Sequence, residues 1–215
     1  MDDRQGCLMW QPDDPGNARP RVRAHIFYPF YLSSRGQWQE ALAVAKNALD
    51  LDPASPSLSH SLAVQFYLTR QFDQAIEQCR KTLEMDPNFA VAYAVLGQAY
   101  LAKGMNSDAT PVLEKYSVLS QGSADSHALL GYSQARRTDK SQTLRTIEEL
   151  KATFGPAFYF ALVYGALEDK DQAFMWLEKG YDERFARFAT SVPRFADNGQ
   201  GFQENLAGIV CADGR

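Results

Sequence analysis

An all-α solenoid of about five antiparallel helix hairpins is the fold class this sequence predicts, and three observations predict it. Ala41, Ala75 and Ala109 recur at intervals of 34 residues, with Thr143 on the next step. Leu62, Leu96 and Leu130 keep the same interval, with Tyr28 one step earlier. Asp52-Pro53 returns as Asp86-Pro87. A fixed period of this length marks an architecture in which each copy is one supersecondary unit.

Residues 1–21 hold Pro12, Pro15, Pro20, Gly16 and Asp13-Asp14, with neither helical periodicity nor the apolar core of a secretory signal. They read as a flexible leader. The hairpin stack is expected over 22–184. Its first unit, 22–55, is poor in front, where Pro29 falls in mid-helix and should make that helix start late or kink. It is clear behind, where Ala41, Leu42, Ala45, Ala48 and Leu49 recur at three- and four-residue intervals. Unit two, 56–89, runs from Leu62, Ala63 and Phe66 through Phe72, Ala75 and Ile76 to Asp86-Pro87. Unit three, 90–123, has Tyr93, Leu96-Gly97 and Tyr100, a Lys103-Gly104 turn, then Ala109, Leu113 and Tyr116. Its Pro111 is read as lying near the start of the second helix, where proline is tolerated.

Unit four, 124–153, keeps Leu130-Gly131, Ile147 and Leu150 but has Thr143 in place of alanine. Unit five, 154–184, places Phe158, Phe160, Ala161 and Tyr164 in front and Ala173, Trp176 and Leu177 behind. Ala173 follows Thr143 by 30 residues, a slip of four that fits a shortened connection at Gly155-Pro156. Residues 185–215 form an aromatic, then glycine-rich tail, expected to fold back as a cap on the last apolar face, with a short helix over 202–210.

Packing explains both the small residues and the stacking. Two helices approach closely only where side chains shrink, so Ala41, Ala75, Ala109, Gly97 and Gly131 read as holes for large residues opposite. One isolated hairpin buries about half a dozen apolar side chains at roughly 1.5–3 kcal/mol each. Ordering its residues costs roughly 1–2 kcal/mol apiece. Neighbouring copies must supply the rest.

The chain resembles the tetratricopeptide repeat family, whose first-helix pattern of a large aromatic, Leu-Gly and Tyr is filled by Tyr93, Leu96-Gly97 and Tyr100. The resemblance covers about 22–184 and implies a right-handed superhelix whose first helices line a concave surface. Narrower still, Asp169-Lys170-Asp171-Gln172-Ala173-Phe174, Trp176 to Arg184 and Pro193-Arg194-Phe195 look like the C-terminal repeat region of bacterial multidomain regulators. In that group the repeats follow a winged-helix, kinase or cyclase module. This sequence shows no such module before its repeats, and Gly199 to Gln203 replaces the group's second Pro-Arg-Phe element.

Composition and motifs exclude several function classes. A net charge of -4 argues against binding that relies on phosphate neutralisation, and Arg19, Arg21 and Arg23 read as solvated charge. Cys7, Cys79 and Cys211 are too scattered for a metal pair or disulfide framework, which suits a reducing compartment. Cys79 falls on an apolar stripe and reads as packing. His25, His60 and His127 occupy similar places on successive first helices and read as core or groove residues. Glu148-Glu149 are adjacent and point to different sides of a helix. Phosphate loops, nucleophile elbows and zinc-helix motifs are absent from the sequence.

Function is therefore expected on the concave face, where the resemblance implies ligand-facing residues one turn apart. These are Ile26 and Phe30, then Ser57, His60, Val64, Tyr67 and Leu68. Units three and four add Val91, Gln98, Leu101, Asp125, Tyr132 and Arg136, and unit five adds Phe158 and Leu162. The basic and asparagine clamp that holds chaperone tails in some relatives is replaced by Ile26, Phe30, Ser61, Val91 and Val95. Apolar anchors of this kind suit a peptide or amphipathic helix.

The expectation is a cytoplasmic, bacterial, non-enzymatic protein-interaction scaffold with no catalytic residue, cofactor or metal. Its partner is another protein or peptide segment, with neither nucleic acid binding nor membrane insertion. Self-association through aromatic end faces is the other partner class. The alternative is a regulatory or sensory segment acting with a separate kinase, cyclase or transcription-factor module. Replacing Tyr67 and Leu68 by Asp is expected to abolish capture and leave helicity intact.

Overall fold

The three-residue and four-residue turns of this chain set its geometry. The computed structural model describes residues 18–137, 140–153 and 155–182. Among these, the helices are α1 Ala18–Ser34, α2 Trp38–Leu51, α3 Pro56–Leu68, α4 Phe72–Met85, α5 Ala90–Ala102, α6 Asn106–Leu119, α7 Ala124–Arg136, α8 Lys140–Ala152, α9 Ala157–Ala166 and α10 Lys170–Asp182, and no strand occurs. Three residues join the helices of a hairpin, and four join one hairpin to the next.

Each described three-residue turn is closed in the same way. Its middle residue is left-handed: Gly36 at φ 76°, Arg70 at 62°, Gly104 at 74° and Glu168 at 63°. The amide of the following residue then reaches back five positions, as Gln71 N–H does to Phe66 O at 2.8 Å and Met105 N–H to Tyr100 O at 2.9 Å. That bond pairs a carbonyl the helix end would otherwise orphan. Between α6 and α7, where Asp-Pro is replaced, Gly122 performs the same closure on Ser117 O at 2.9 Å.

Two layers result. The first helices touch one another in sequence, α1 on α3, α3 on α5, α5 on α7 and α7 on α9, and form an inner wall. The second helices α2, α4 and α6 pack between consecutive inner helices and form the outer wall. Ala41, Ala75 and Ala109 are fully buried at the seam. A Cβ on Gly97 would lie 2.4 Å from Leu113 Cδ2, so glycine there is required by the close crossing of α5 and α6.

Buried hydroxyl and amide pairs tie helices together as well. Ser33 Oγ donates to Gln65 Oε1 at 2.5 Å, Ser59 and Thr82 share a bond at 2.7 Å, Thr110 and Ser133 one at 2.7 Å, and Thr146 Oγ1 donates to Gln134 Oε1 at 2.8 Å. Each links two helices and so fixes their sliding register; the bonded oxygens are satisfied, while the buried Nε2 of Gln65 has no partner.

The fifth hairpin is set differently. The connection before it spans 153–156, four residues like the others, so it is not shortened. The slip of four arises because α8 has 13 residues where α4 and α6 have 14, and α9 has 10 where α3, α5 and α7 have 13. The short α9 lies on α7 and has only slight contact with α8. Gly131 makes this possible, since a Cβ there would stand 3.2 Å from a Val163 methyl.

Three further expectations need comment. Helix α1 begins at Ala18, ahead of the expected end of the leader at residue 21. It also runs through Pro29, which is buried, instead of starting after it. Burial of the ring offsets part of the cost of the lost helical bond. Pro111 is the sixth residue of α6, past the first turn, so it removes one helical bond on an exposed side. The cap at 185–215, its helix over 202–210, and Cys7 and Cys211 lie outside the described residues, as does most of the leader.

Candidate functional site

An inner-wall helix has one face left after packing against the outer wall and its neighbours, and that face is a narrow stripe. On α3, everything from Leu58 to Tyr67 is buried except His60 and Val64; with Ser57 and Leu68 these form a half-exposed line at three- and four-residue spacing. On α5 the line is Val91, Gln98 and Ala102, and on α7 it is Asp125, Tyr132 and Arg136. Phe158 and Leu162 continue it on α9, and Ile26 and Phe30 lie half-buried on α1. The stripes follow one another along the inner wall and define a groove.

Two of the expected groove residues belong elsewhere. Tyr67 and Leu101 are each only 6% exposed and sit within the main core. The next residue on each helix, Leu68 or Ala102, takes the outward place, because one step turns a helix by about 100°. An Asp at position 67 would therefore damage the core, and the Tyr67/Leu68 double replacement does not isolate the groove. Ser61 and Val95, two of the replaced clamp positions, are likewise buried, whereas Val91 is 45% exposed. Phe27, next to Ile26, is 61% exposed.

The groove's polar groups are held by burial. The His60 ring meets Phe89 edge-on with centroids 5.6 Å apart, its Nδ1 has no partner, and desolvation pushes its pKa down to about 4. Burial, and secondarily the nearby Tyr132, raise the Tyr67 hydroxyl well above its usual range. Tyr116 donates a short hydrogen bond to the Asp125 carboxylate, tying the end of α6 to the start of α7. Apart from Asp125 and Arg136 on α7, the groove thus presents neutral groups in a mainly apolar lining.

Nothing described gathers into a reaction centre. Cys79 is fully buried, and desolvation pushes its thiol up to about 12, so it stays protonated and unreactive. His127 Nδ1 lies 3.4 Å from Glu149 Oε2 on the other side of α7 from the stripe. Among the described residues no group of three or more His, Cys, Asp or Glu could hold a metal, and no helix is long and apolar enough to cross a membrane.

Comparison with known proteins adds the family. The tetratricopeptide repeat pattern matches residues 66–131. Curated relatives include the TPR repeat-containing thioredoxin TTL4 of Arabidopsis thaliana, 29% identical over 70 residues, and the small glutamine-rich tetratricopeptide repeat-containing protein 2 of Mycosarcoma maydis, 31% identical over 75. The matches take in 33% and 35% of this chain but only 10% and 21% of those proteins. Among solved structures, TTC0263, a TPR protein of Thermus thermophilus, superposes with a TM-score of 0.66 at 20% identity, over 75% of this chain and 90% of that one. YrrB, described as a TPR protein with an unusual peptide-binding site, superposes with a TM-score of 0.53 at 20% identity, over 74% and 84%. Residues 66–131 thus carry the tetratricopeptide repeat pattern, and with its 34-residue hairpins, small-residue seams and two-walled stack the described chain has the fold of tetratricopeptide repeat proteins.

Proposed function

We propose that this protein is a non-enzymatic interaction scaffold that captures a peptide or helix of another protein in its inner groove. The observation that carries the reading is the half-exposed stripe on each inner helix, apolar at Val64, Leu68, Val91, Phe158 and Leu162 where a solvated wall would be polar, although Val64 and Leu68 also pack against the core. The peptide-binding site named for YrrB supports it by analogy of fold. The reading includes a cytoplasmic location, supported by cysteines too scattered in sequence to suggest a disulfide framework. Affinity capture from native lysate tests it, with Val91→Asp as control because that side chain is 45% exposed and its replacement spares the core. Capture lost in the variant at unchanged helicity is expected; capture equal in both would remove the groove from consideration.

A second reading is supported by the likeness of Asp169 to Arg184 to the repeat region of bacterial multidomain regulators. There the groove serves as the regulatory segment of a signalling system and meets a separate kinase, cyclase or transcription-factor module. Co-purification with the product of an adjacent signalling gene would favour it over a general scaffold.

A further inference from the structure

We propose that the groove takes the uncharged, apolar face of an α-helix supplied by another protein, and not an extended or charge-rich peptide. This rests on the groove reading above. Charge is the first observation. Helices α3, α5 and α9 contain no Asp, Glu, Lys or Arg, and α7 has only Asp125 in its first turn and Arg136 in its last. Asp125 already accepts from Tyr116, and His60 is neutral above a pH of about 4. Each of the outer helices α2, α4, α6, α8 and α10, by contrast, carries three to five charged residues. The remaining inner helix, α1, carries Arg19, Arg21 and Arg23 within its first six residues, so a charged side chain brought against the inner wall from α3 to α9 would lose its hydration and meet counter-charge only at Asp125 and Arg136.

Hydrogen bonding is the second observation. An extended peptide carries an unpaired N–H and C=O at every residue, and each one buried without a partner costs about 1–3 kcal/mol. The stripes offer few side chains to meet them, chiefly Ser57, His60, Gln98 and Tyr132, against a majority of aliphatic and aromatic surface. A helix closes its backbone bonds internally and needs none of these. Its apolar residues at three- and four-residue spacing match a lining of separate apolar stripes.

The test is a selection of random peptides of roughly 20 residues, several helical turns, displayed against the full chain and counter-selected on a Leu68→Asp/Val91→Asp variant. Should that variant lose helicity, Val91→Asp alone replaces it. Enriched sequences with apolar residues at helical spacing and no charge on that face, lost on the variant, are expected. A proline placed at the centre of such a peptide should lower its affinity at least about tenfold, and a tenfold rise in NaCl should change it less than about twofold. Enrichment of alternating, proline-rich or charged sequences that still need the groove would overturn the helix and leave the groove standing. Enrichment indifferent to the variant, or none at all, would remove the groove reading itself. A dimer in sedimentation that the variant abolishes would seat a second copy there and overturn the proposal.

Discussion

His60 and Glu168 show how single residues carry the strain of this repeat. Burial beside Phe89 holds the His60 pKa near 4 in the folded chain, against an unfolded value of 6.5. The unfolded chain therefore binds a proton, and the folded one does not, across the window from about pH 6.5 down to about 4. Stability contributed by neutral His60 is complete above that window and is lost as pH falls through it, on the order of 2 kcal/mol by pH 5. Urea unfolding at pH 7 and pH 5 measures this, and a His60→Gln variant should show a smaller difference between the two. Glu168 poses a backbone problem. At φ 63° it occupies the place that Gly36 and Gly104 fill in earlier turns, and its carboxylate stands beyond the negative end of α9. A left-handed conformation costs a non-glycine residue roughly 1–2 kcal/mol, and the helix dipole adds a few tenths. Glu168→Gly is expected to stabilise the fifth hairpin by about 1 kcal/mol after the greater chain entropy of glycine is subtracted. Thermal unfolding followed by amide exchange in α9 and α10 reads the gain.

Helices were legible where packing distance dictates residue size. The seam alanines at 41, 75 and 109 could be read directly, because two helix axes cannot close over a larger side chain, and each is fully buried. Gly97 is the extreme case. Alanine there would gain about 1 kcal/mol of helix propensity, but its Cβ would sit 2.4 Å from Leu113 Cδ2 and 2.7 Å from its Cγ, and Leu113 is fully buried. Overpacking of this kind costs about 1–3 kcal/mol, so Gly97→Ala should destabilise despite its better propensity. Chemical denaturation would show a lower midpoint with an unchanged slope. The groove was less legible for an angular reason. A period of 34 fixes which helix a residue occupies, but whether Tyr67 or Leu68 faces outward depends on helix rotation against both neighbours, which leaves no local mark in sequence. The lost residues of the fifth hairpin were hidden likewise. A net slip of four says how many are missing, while the division between α8 and α9 follows from α9 settling on α7.

At the scale of the molecule, the stack is quasi-linear, and its hydrophobic core divides. One buried cluster runs from Leu42 on α2 to Leu130 on α7; the other joins Ala128, Ile147, Leu150, Phe160 and Val163 across α7, α8 and α9. Helix α7 faces both, and the slight contact between α8 and α9 leaves the fifth hairpin held mainly by α7 and by its own internal packing. In a linear array, stability is a sum of unit and interface terms, so a unit with one reduced interface opens first. Phe160 is the place to test this, being 3% exposed and stacked on Trp176 with ring centroids 4.1 Å apart. Truncating a buried phenylalanine costs about 3–5 kcal/mol, more than one hairpin of this kind can absorb. Phe160→Ala should therefore release the amides of α9 and α10 to rapid hydrogen exchange while those of α3 to α6 keep their protection. Uniform loss across all helices would mean that the stack unfolds as a single cooperative body, and that the division of the core does not separate its stability. The segmental outcome has a functional corollary. Val64, Leu68 and Val91 stand on helices that remain folded, so a ligand seated there should still bind the Phe160→Ala protein, whereas one that needs Phe158 and Leu162 should bind more weakly in step with the open fraction of the fifth hairpin.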